Sequence, residues 1–266
     1  MNNIKISIIT ITFNSEKTVE ETINSVISQN YSNLEYILID GGSTDRTLEI
    51  IHKYRDKISK IVSEKDDGIS DAFNKGIKCA TGDIIGIINS DDLLLPDALH
   101  HIAKNYTPEI DVYRGNTIIW NDRTGLKIRE VPSMKFPVLH VFLNVSHQST
   151  FISSKAYVKF GIYNENFRYI MDVDLLTRFY QHKAVFKYIN ADIALYRMGG
   201  VTNQSIRKKI PELKKYVLTN KGNYIQYILF IFSHAIIYYS KKAISIVNVD
   251  YARKMKLSLL NRTHSN

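Results

Sequence analysis

The sequence predicts an α/β fold: a mostly parallel central sheet flanked by helices, followed by a basic, apolar helical C-terminal tail. Three observations predict it. Apolar strand runs alternate with segments of helical period over the first hundred residues, and such alternation implies a parallel sheet with right-handed crossovers. The runs are continuously apolar rather than alternating, as strands covered on both faces require. Charge is divided unevenly. Residues 207–266 carry 12 Lys or Arg against 2 Asp or Glu, whereas residues 1–206 carry 23 against 24.

The elements follow in order. Residues 4–11 form the first strand, and 16–30 a helix with Val19, Ile23, Val26 and Ile27 on one face. Tyr36-Ile37-Leu38-Ile39 is a second buried strand, closed by Asp40-Gly41-Gly42. Residues 47–54 read as a helix, 60–62 as a short strand, and 69–80 as an amphipathic helix stopped by Thr81-Gly82. Residues 84–88 are a fourth strand. In open sheets of this kind ligands bind beyond the carboxyl ends of the strands. Thr12-Phe13-Asn14, Asp40 and Asp91-Asp92 all stand at such ends, so three polar termini predict one shared crevice. Beyond residue 110 the pattern loosens. Strands are expected at 111–120 and 127–131 around an Asn-Asp-Arg-Thr-Gly turn, then at 151–152 and 185–197, with a helix at 171–182. The expected division is 1–110 as a nucleotide-binding half, 111–206 as an acceptor half, and 207–266 as a separate tail.

The chain has 266 residues, 44% hydrophobic and 23% charged, an ordinary globular composition able to bury a sizeable core. One cysteine, Cys79, rules out an internal disulfide and favours a reducing compartment. The N-terminus enters a strand pattern directly, without the charged start and cleavage site of a signal peptide. In the tail, residues 224–239 are nearly all apolar or aromatic, with Lys214, Lys215 and Lys221 before them and Lys241 and Lys242 after. As a helix this stretch reaches roughly 24 Å at about 1.5 Å per residue, short of the roughly 20 residues that span a bilayer. A helix lying in the membrane interface fits it. A helix packed on protein, including a second subunit in a homo-oligomer, is the other reading. The tail holds no recognisable nucleic-acid module.

The chemistry begins at Ser90-Asp91-Asp92, two adjacent carboxylates ending an apolar strand. Buried carboxylates are costly unless a cation sits with them. Oxygen ligands of this kind suit Mg²⁺ or Mn²⁺, which can in turn hold a diphosphate. The same residues before Leu93-Leu94-Leu95-Pro96 also make a helix N-cap, and both readings stand on the residues alone. Asp40 could accept a hydrogen bond from a base N–H, or simply cap its own turn. Asp71 and Asn74, three apart on one helix, should point the same way. Asp172 and Asp174 open a helix, where carboxylates also complement the dipole.

Taken together, Ile8–Asn14, Ile39–Thr47, Ser63–Gly76 and Gly82-Asp83 followed by Asn89–Asp92 resemble family 2 glycosyltransferases of the GT-A (Rossmann-like) fold, in a bacterial branch that builds O-antigen and capsular polysaccharides. The resemblance covers roughly residues 4–205. It implies an inverting, metal-dependent transfer from a nucleotide-sugar, a UDP-sugar, to a lipid-linked saccharide acceptor. Thr12, Asn14, Asp40, Asp71, Asn74 and Asp91 would line the nucleotide, with Asp91 on the ribose. Asp92 would hold Mn²⁺ or Mg²⁺. Asp172 would be the base, with Asp174 as fallback because Met171 replaces an acidic residue common in relatives. His147 and Gln148 would lie near the acceptor. Arg197, in the loop with Gly199-Gly200, would close over the diphosphate. The resemblance also implies a cytoplasmic enzyme, peripheral at the inner face of the cell membrane and held there by residues 207–266.

Two other classes remain. A sugar nucleotidyltransferase can share the fold, but carries a Gly-rich basic phosphate loop where this chain has Thr12-Phe13-Asn14-Ser15-Glu16. A non-catalytic, nucleotide-sugar-binding membrane adaptor should have lost the carboxylates, yet Asp91, Asp92 and Asp172 are present.

Overall fold

A computed structural model describes residues 4–122, 124–134, 145–198, 206–219 and 224–246. The chain forms two compact units, Met1–Ile118 with Arg129–Tyr196, and Ile119–Ile128 with Arg197–Asn266.

In the first unit the expected strands and helices appear within a few residues of their predicted bounds. They are β1 (Ile6–Thr12), α1 (Val19–Ile27), β2 (Leu34–Asp40), α2 (Thr47–Lys53), β3 (Lys60–Ser63), α3 (Ile69–Cys79) and β4 (Ile84–Asn89). β1 pairs in parallel with both β2 and β4, and β2 with β3. The interior of β1, β2 and β4 is rich in Ile, Leu and Tyr at essentially no exposure, and burial of this kind contributes about 25 cal/mol per Å² of apolar surface. Polar residues inside them are matched. The Tyr36 hydroxyl donates to Thr10 Oγ1 (3.1 Å) and Ser7 Oγ donates to Glu35 Oε2 (2.6 Å). Burial would raise the Glu35 pKa, but Lys5, Ser7 and Thr81 around it hold it down at about 2, so the carboxylate stays charged and ties the starts of β1 and β2 to residue 81.

The chain continues with β5 (Leu93–Leu94), α4 (Ala98–Asn105), β6 (Val112–Asn121), β7 (Leu126–Glu130), β8 (Thr150–Ser153), α5 (Ser154–Phe160), α6 (Met171–Gln181) and β9 (Phe186–Arg197). The sheet order is β3-β2-β1-β4-β8-β6-β9-β5, with β7 pairing β6 off this path. The parallel character stops at β4. β8 pairs antiparallel with β4 and β6, and β5 antiparallel with β9. β4 and β8 approach closely because Gly86 has no side chain; a Cβ there would come within 2.5 Å of the Phe151 ring. β5, α4 and α5 were not expected from periodicity: two residues show no period, and α5 is under two turns.

This order sets the position of the crevice. The chain builds β2 and β3 on one side of β1, then returns to place β4 on the other, so β1 and β4 flank a topological switch point. Because β8 runs antiparallel to β4, the residues entering β8 lie at the carboxyl end of β4.

In the second unit α7 (Ile206–Thr219) and α8 (Tyr224–Ile246) pack together. Leu213, Tyr216, Val217 and Phe230 are buried, with the Tyr216 and Phe230 rings 5.3 Å apart. α8 extends past the predicted 224–239. No helix among the described residues is long and apolar enough to cross a membrane.

Candidate functional site

The ends of β1, β2 and β4 stand side by side, with Thr12 opposite Asp40 and Ile11 opposite Asn89. Ser15 Oγ lies 2.7 Å from Ser90 Oγ, joining the loops after β1 and β4. The three predicted termini therefore lie side by side. Thr12 Oγ1 is buried there without a hydrogen-bond partner. Asn14, at φ 48°, accepts from Thr44 N (2.9 Å) and thereby joins the loops after β1 and β2.

Asp40 is fully buried, and its carboxylate is taken up by its own loop and by Ser63 at the end of β3. Oδ2 accepts from Gly42 N (3.1 Å), Ser43 N (3.0 Å) and Ser63 Oγ (2.7 Å), and Oδ1 from Ser43 Oγ (2.5 Å). A carboxylate offers about four lone-pair positions; Oδ2 is filled, so a base N–H would have to use the second position on Oδ1, beside the Ser43 hydroxyl.

Asp71 and Asn74 do not share a direction, contrary to their spacing. Asp71 accepts from Asp67 N (3.0 Å) and pairs with Lys75 (3.2 Å); these hold its pKa down. Asn74 is buried and donates to Tyr163 O (3.0 Å), while its Oδ1 accepts from Tyr163 N (3.0 Å). Nearby Ser70 Oγ donates to Phe167 O (2.7 Å). α3 thus holds the 163–167 segment that leads into α6. Neither Ser70 nor Tyr163 was singled out from the sequence, because their partners lie about 90 or more positions away.

Asp91 and Asp92 do not cap a helix. Asp92 N donates to Asn89 O (3.1 Å), β5 follows at once, and α4 begins only at Ala98. The cap reading of Ser90-Asp91-Asp92 is therefore set aside. Asp92 is fully buried. Its Oδ2 accepts from Gln148 Nε2 (2.7 Å), with Asn89 Nδ2 at 3.3 Å. Asn89 Oδ1 is buried without a hydrogen-bond partner. Among the described residues no three His, Cys, Asp or Glu side chains converge as a metal cage. Mg²⁺ and Mn²⁺ do not need one, since Mg²⁺ is commonly held by one or two carboxylates plus substrate phosphates. Carboxylate and orphaned amide oxygens at 89–92 fit such a hard cation.

On the other side of β4, His147 and Gln148 form a 3₁₀ turn, His147–Ser149, that leads into β8. His147 Nδ1 lies 3.0 Å from Asp172 Oδ2, and its ring packs on Phe73 at 5.2 Å. His147 Nε2 and Asp172 Oδ1 are both buried without a hydrogen-bond partner. Burial opposes protonation of His147, but Asp172, then Asp92 and Asp91, prevail and raise its pKa. Tyr163 is also beside Asp172; burial, Tyr157 and Asp172 raise its pKa well above the usual phenol value. Buried Arg114 keeps its charge despite a pKa lowered to about 10 by desolvation, partly countered by Glu130 and Asp172.

Asp174, the fallback, is buried and pinned to Arg178 (2.9 Å), whose other nitrogens donate to Phe160 O and Ile162 O. Burial raises its pKa, against the pull of Arg178. Arg197 belongs to the second unit, where it stacks 4.8 Å over Trp120 and lies 3.8 Å from Asp122. Gly199-Gly200 fall outside the described residues.

Residues 7–167 match the family described as glycosyl transferase family 2. An uncharacterized glycosyltransferase of Rickettsia typhi is 29% identical over 195 residues, which cover 68% of this chain and 60% of that protein. Among solved structures, S. aureus TarS 1–349 in complex with UDP-GlcNAc aligns at TM-score 0.66 and 20% identity, over 80% of this chain and 66% of that one. The mannosyltransferase PcManGT from Pyrobaculum calidifontis, in complex with GDP-Man and Mn²⁺, aligns at TM-score 0.63 and 13% identity, over 97% of this chain and 80% of that one. At these identities the structural likeness shows the fold.

Proposed function

The chain belongs to glycosyl transferase family 2, and we propose that it transfers a sugar, with inversion, from a UDP-sugar to a saccharide acceptor used in cell-surface polysaccharide synthesis. The observation that carries this reading is that two carboxylates far apart in sequence, Asp92 after β4 and Asp172 in the first turn of α6, are each reached by one of the adjacent residues Gln148 and His147.

The roles divide by position. Thr12, Asn14, Asp40 and Asp71 shape the nucleotide end of the crevice, with Asp91 toward the ribose. Asp92, with Asn89 beside it, would hold Mn²⁺ or Mg²⁺, which when bound neutralises the departing diphosphate as a Lewis acid. Asp172 takes the proton from the acceptor hydroxyl. The acceptor oxygen then bonds to the anomeric carbon as the bond from that carbon to the diphosphate oxygen breaks, and UDP leaves with the electron pair. Positioning and fixed charge supply most of the acceleration. UDP as the nucleotide draws support from the UDP-GlcNAc bound by TarS. In a screen of nucleotide sugars with Mn²⁺, one or more UDP-sugars should release UDP, and EDTA should suppress the release. UDP release from no UDP-sugar while a GDP-sugar turns over would overturn the donor assignment.

The acceptor is proposed to be lipid-linked, with the tail holding the enzyme at the inner face of the cell membrane. α8 exposes Tyr224, Ile225, Ile228, Leu229, Phe232, Ile236 and Tyr239, at spacings that form a stripe. The net charge of +10 over residues 207–266 complements anionic headgroups. The full chain should co-sediment with vesicles containing phosphatidylglycerol and not with phosphatidylcholine alone, and Phe232→Glu with Ile236→Glu should release it. Equal sedimentation of this double variant would sink the reading.

A further inference from the structure

We propose that His147-Gln148 is a positioning clamp that sets the base carboxylate of Asp172 relative to the carboxylate of Asp92, with His147 leaving Asp172 Oδ1 to face the acceptor. The inference rests on the roles proposed above for Asp172 and Asp92.

The geometry comes from one short turn. In a 3₁₀ turn successive side chains point about 120° apart, so neighbours in sequence reach opposite walls of a crevice. His147 reaches Asp172 on α6, at 3.0 Å, and Gln148 reaches Asp92 beyond β4, at 2.7 Å. The two carboxylates lie 80 positions apart in sequence, yet each is one hydrogen bond from this dipeptide. The turn itself is held from several sides. Thr150 Oγ1 donates to Ser146 O (2.8 Å), Ser149 Oγ lies 2.6 Å from Thr117 Oγ1, and Phe73 packs on the His147 ring. A side chain locked by such support can fix its partner's orientation.

The choice of oxygen follows. Asp172 Oδ2 is engaged by His147 Nδ1, whereas Oδ1 is buried without a hydrogen-bond partner. In this proposal Oδ1, the oxygen that His147 does not hold, takes the acceptor proton once the acceptor hydroxyl enters beside Tyr163. Misplacement by about 1 Å costs on the order of 10²-fold in rate, so loosening either arm should show in a particular kinetic constant. Loss of the His147 arm moves the base and lowers kcat. Loss of the Gln148 arm moves Asp92 and raises the donor KM or the metal requirement.

Two replacements of His147 separate positioning from packing. Asparagine keeps an N–H donor near the place of Nδ1; glutamine carries it one carbon further. Both lose the contact with Phe73, so their Tm values should fall together. His147→Gln should lower transfer kcat on the order of 100-fold with the donor KM within about 2-fold. His147→Asn should keep kcat within about 10-fold. Gln148→Ala should instead raise the donor KM or the Mn²⁺ concentration for half-maximal rate. Equal losses of kcat in the two His147 variants, tracking Tm, would reduce the residue to packing and overturn the clamp. So would a Gln148→Ala that lowers kcat alone. Asp172→Asn is measured in parallel: wild-type transfer there would sink the base assignment, while its inactivity beside indistinguishable His147 variants would sink the clamp only.

Discussion

Asp172→Asn should lose transfer by about 10³-fold, within the range that a positioned general base contributes, and should bind the UDP-sugar as tightly as the wild type. The substitution keeps the size of the side chain and an oxygen that can face His147, so the first turn of α6 should survive. What it removes is the capacity to accept a proton. The surroundings suit that role: His147 Nδ1 lies 3.0 Å from Oδ2, and the buried Arg114 guanidinium interacts with the same carboxylate. The same change at Asp174 should give the opposite signature. That carboxylate is tied to Arg178, which also fastens Phe160 and Ile162. Asp174→Asn should therefore lower Tm with much of kcat retained. The measurement is a transfer progress curve beside isothermal titration with UDP-sugar. Wild-type transfer by Asp172→Asn would move the base elsewhere.

How much of this was legible in the sequence depended on the range of the interaction. The parallel half was readable because strands covered on both faces leave uninterrupted apolar runs, and their polar ends mark the crevice. Thr12, Asp40 and Asp92 came from that logic, and the structure brings them to adjacent strand ends. The antiparallel return was not readable. Nothing local in Thr150–Ser153 says that it runs against β4, and only that direction delivers Gln148 to Asp92. Helical spacing misled at Asp71 and Asn74, because tertiary partners override shared direction: one turns to Lys75 and Asp67, the other to Tyr163. Asp40 shows a different limit. A carboxylate after a strand is equally suited to a ligand and to its own glycine turn, and here three donors of that turn and Ser63 Oγ from the end of β3 occupy it. Arg114 carried no signal at all, since a lone arginine in a strand pattern gives no hint of burial.

Asp92→Asn should lose donor turnover by about 10²–10³-fold, the loss typical of removing one preorganised electrostatic stabiliser, and what remains should no longer respond to Mn²⁺. The structure adds a second expectation that separates a ligand site from a scaffold. Asp92 is fully buried, beside Asp91 in sequence, and with Asp172 it helps raise the pKa of His147. Concentrated negative charge of this sort opposes folding when no cation is bound. Neutralising it with an isosteric amide should leave Tm unchanged in EDTA or raise it by about 2–4 °C, the shift expected for about 1 kcal/mol in a chain of this size. Mn²⁺ should then stabilise the wild type, in the presence of UDP, more than the variant. Asp91→Asn should be milder in both respects, because its proposed contact is with the ribose rather than the diphosphate. A scaffold carboxylate would behave otherwise: removing it would lower Tm in EDTA, and activity would fall only as the folded fraction fell. Thermal melts with and without Mn²⁺ and UDP, set beside UDP release, distinguish the two. Wild-type turnover with an intact Mn²⁺ response in Asp92→Asn would remove Asp92 from the site.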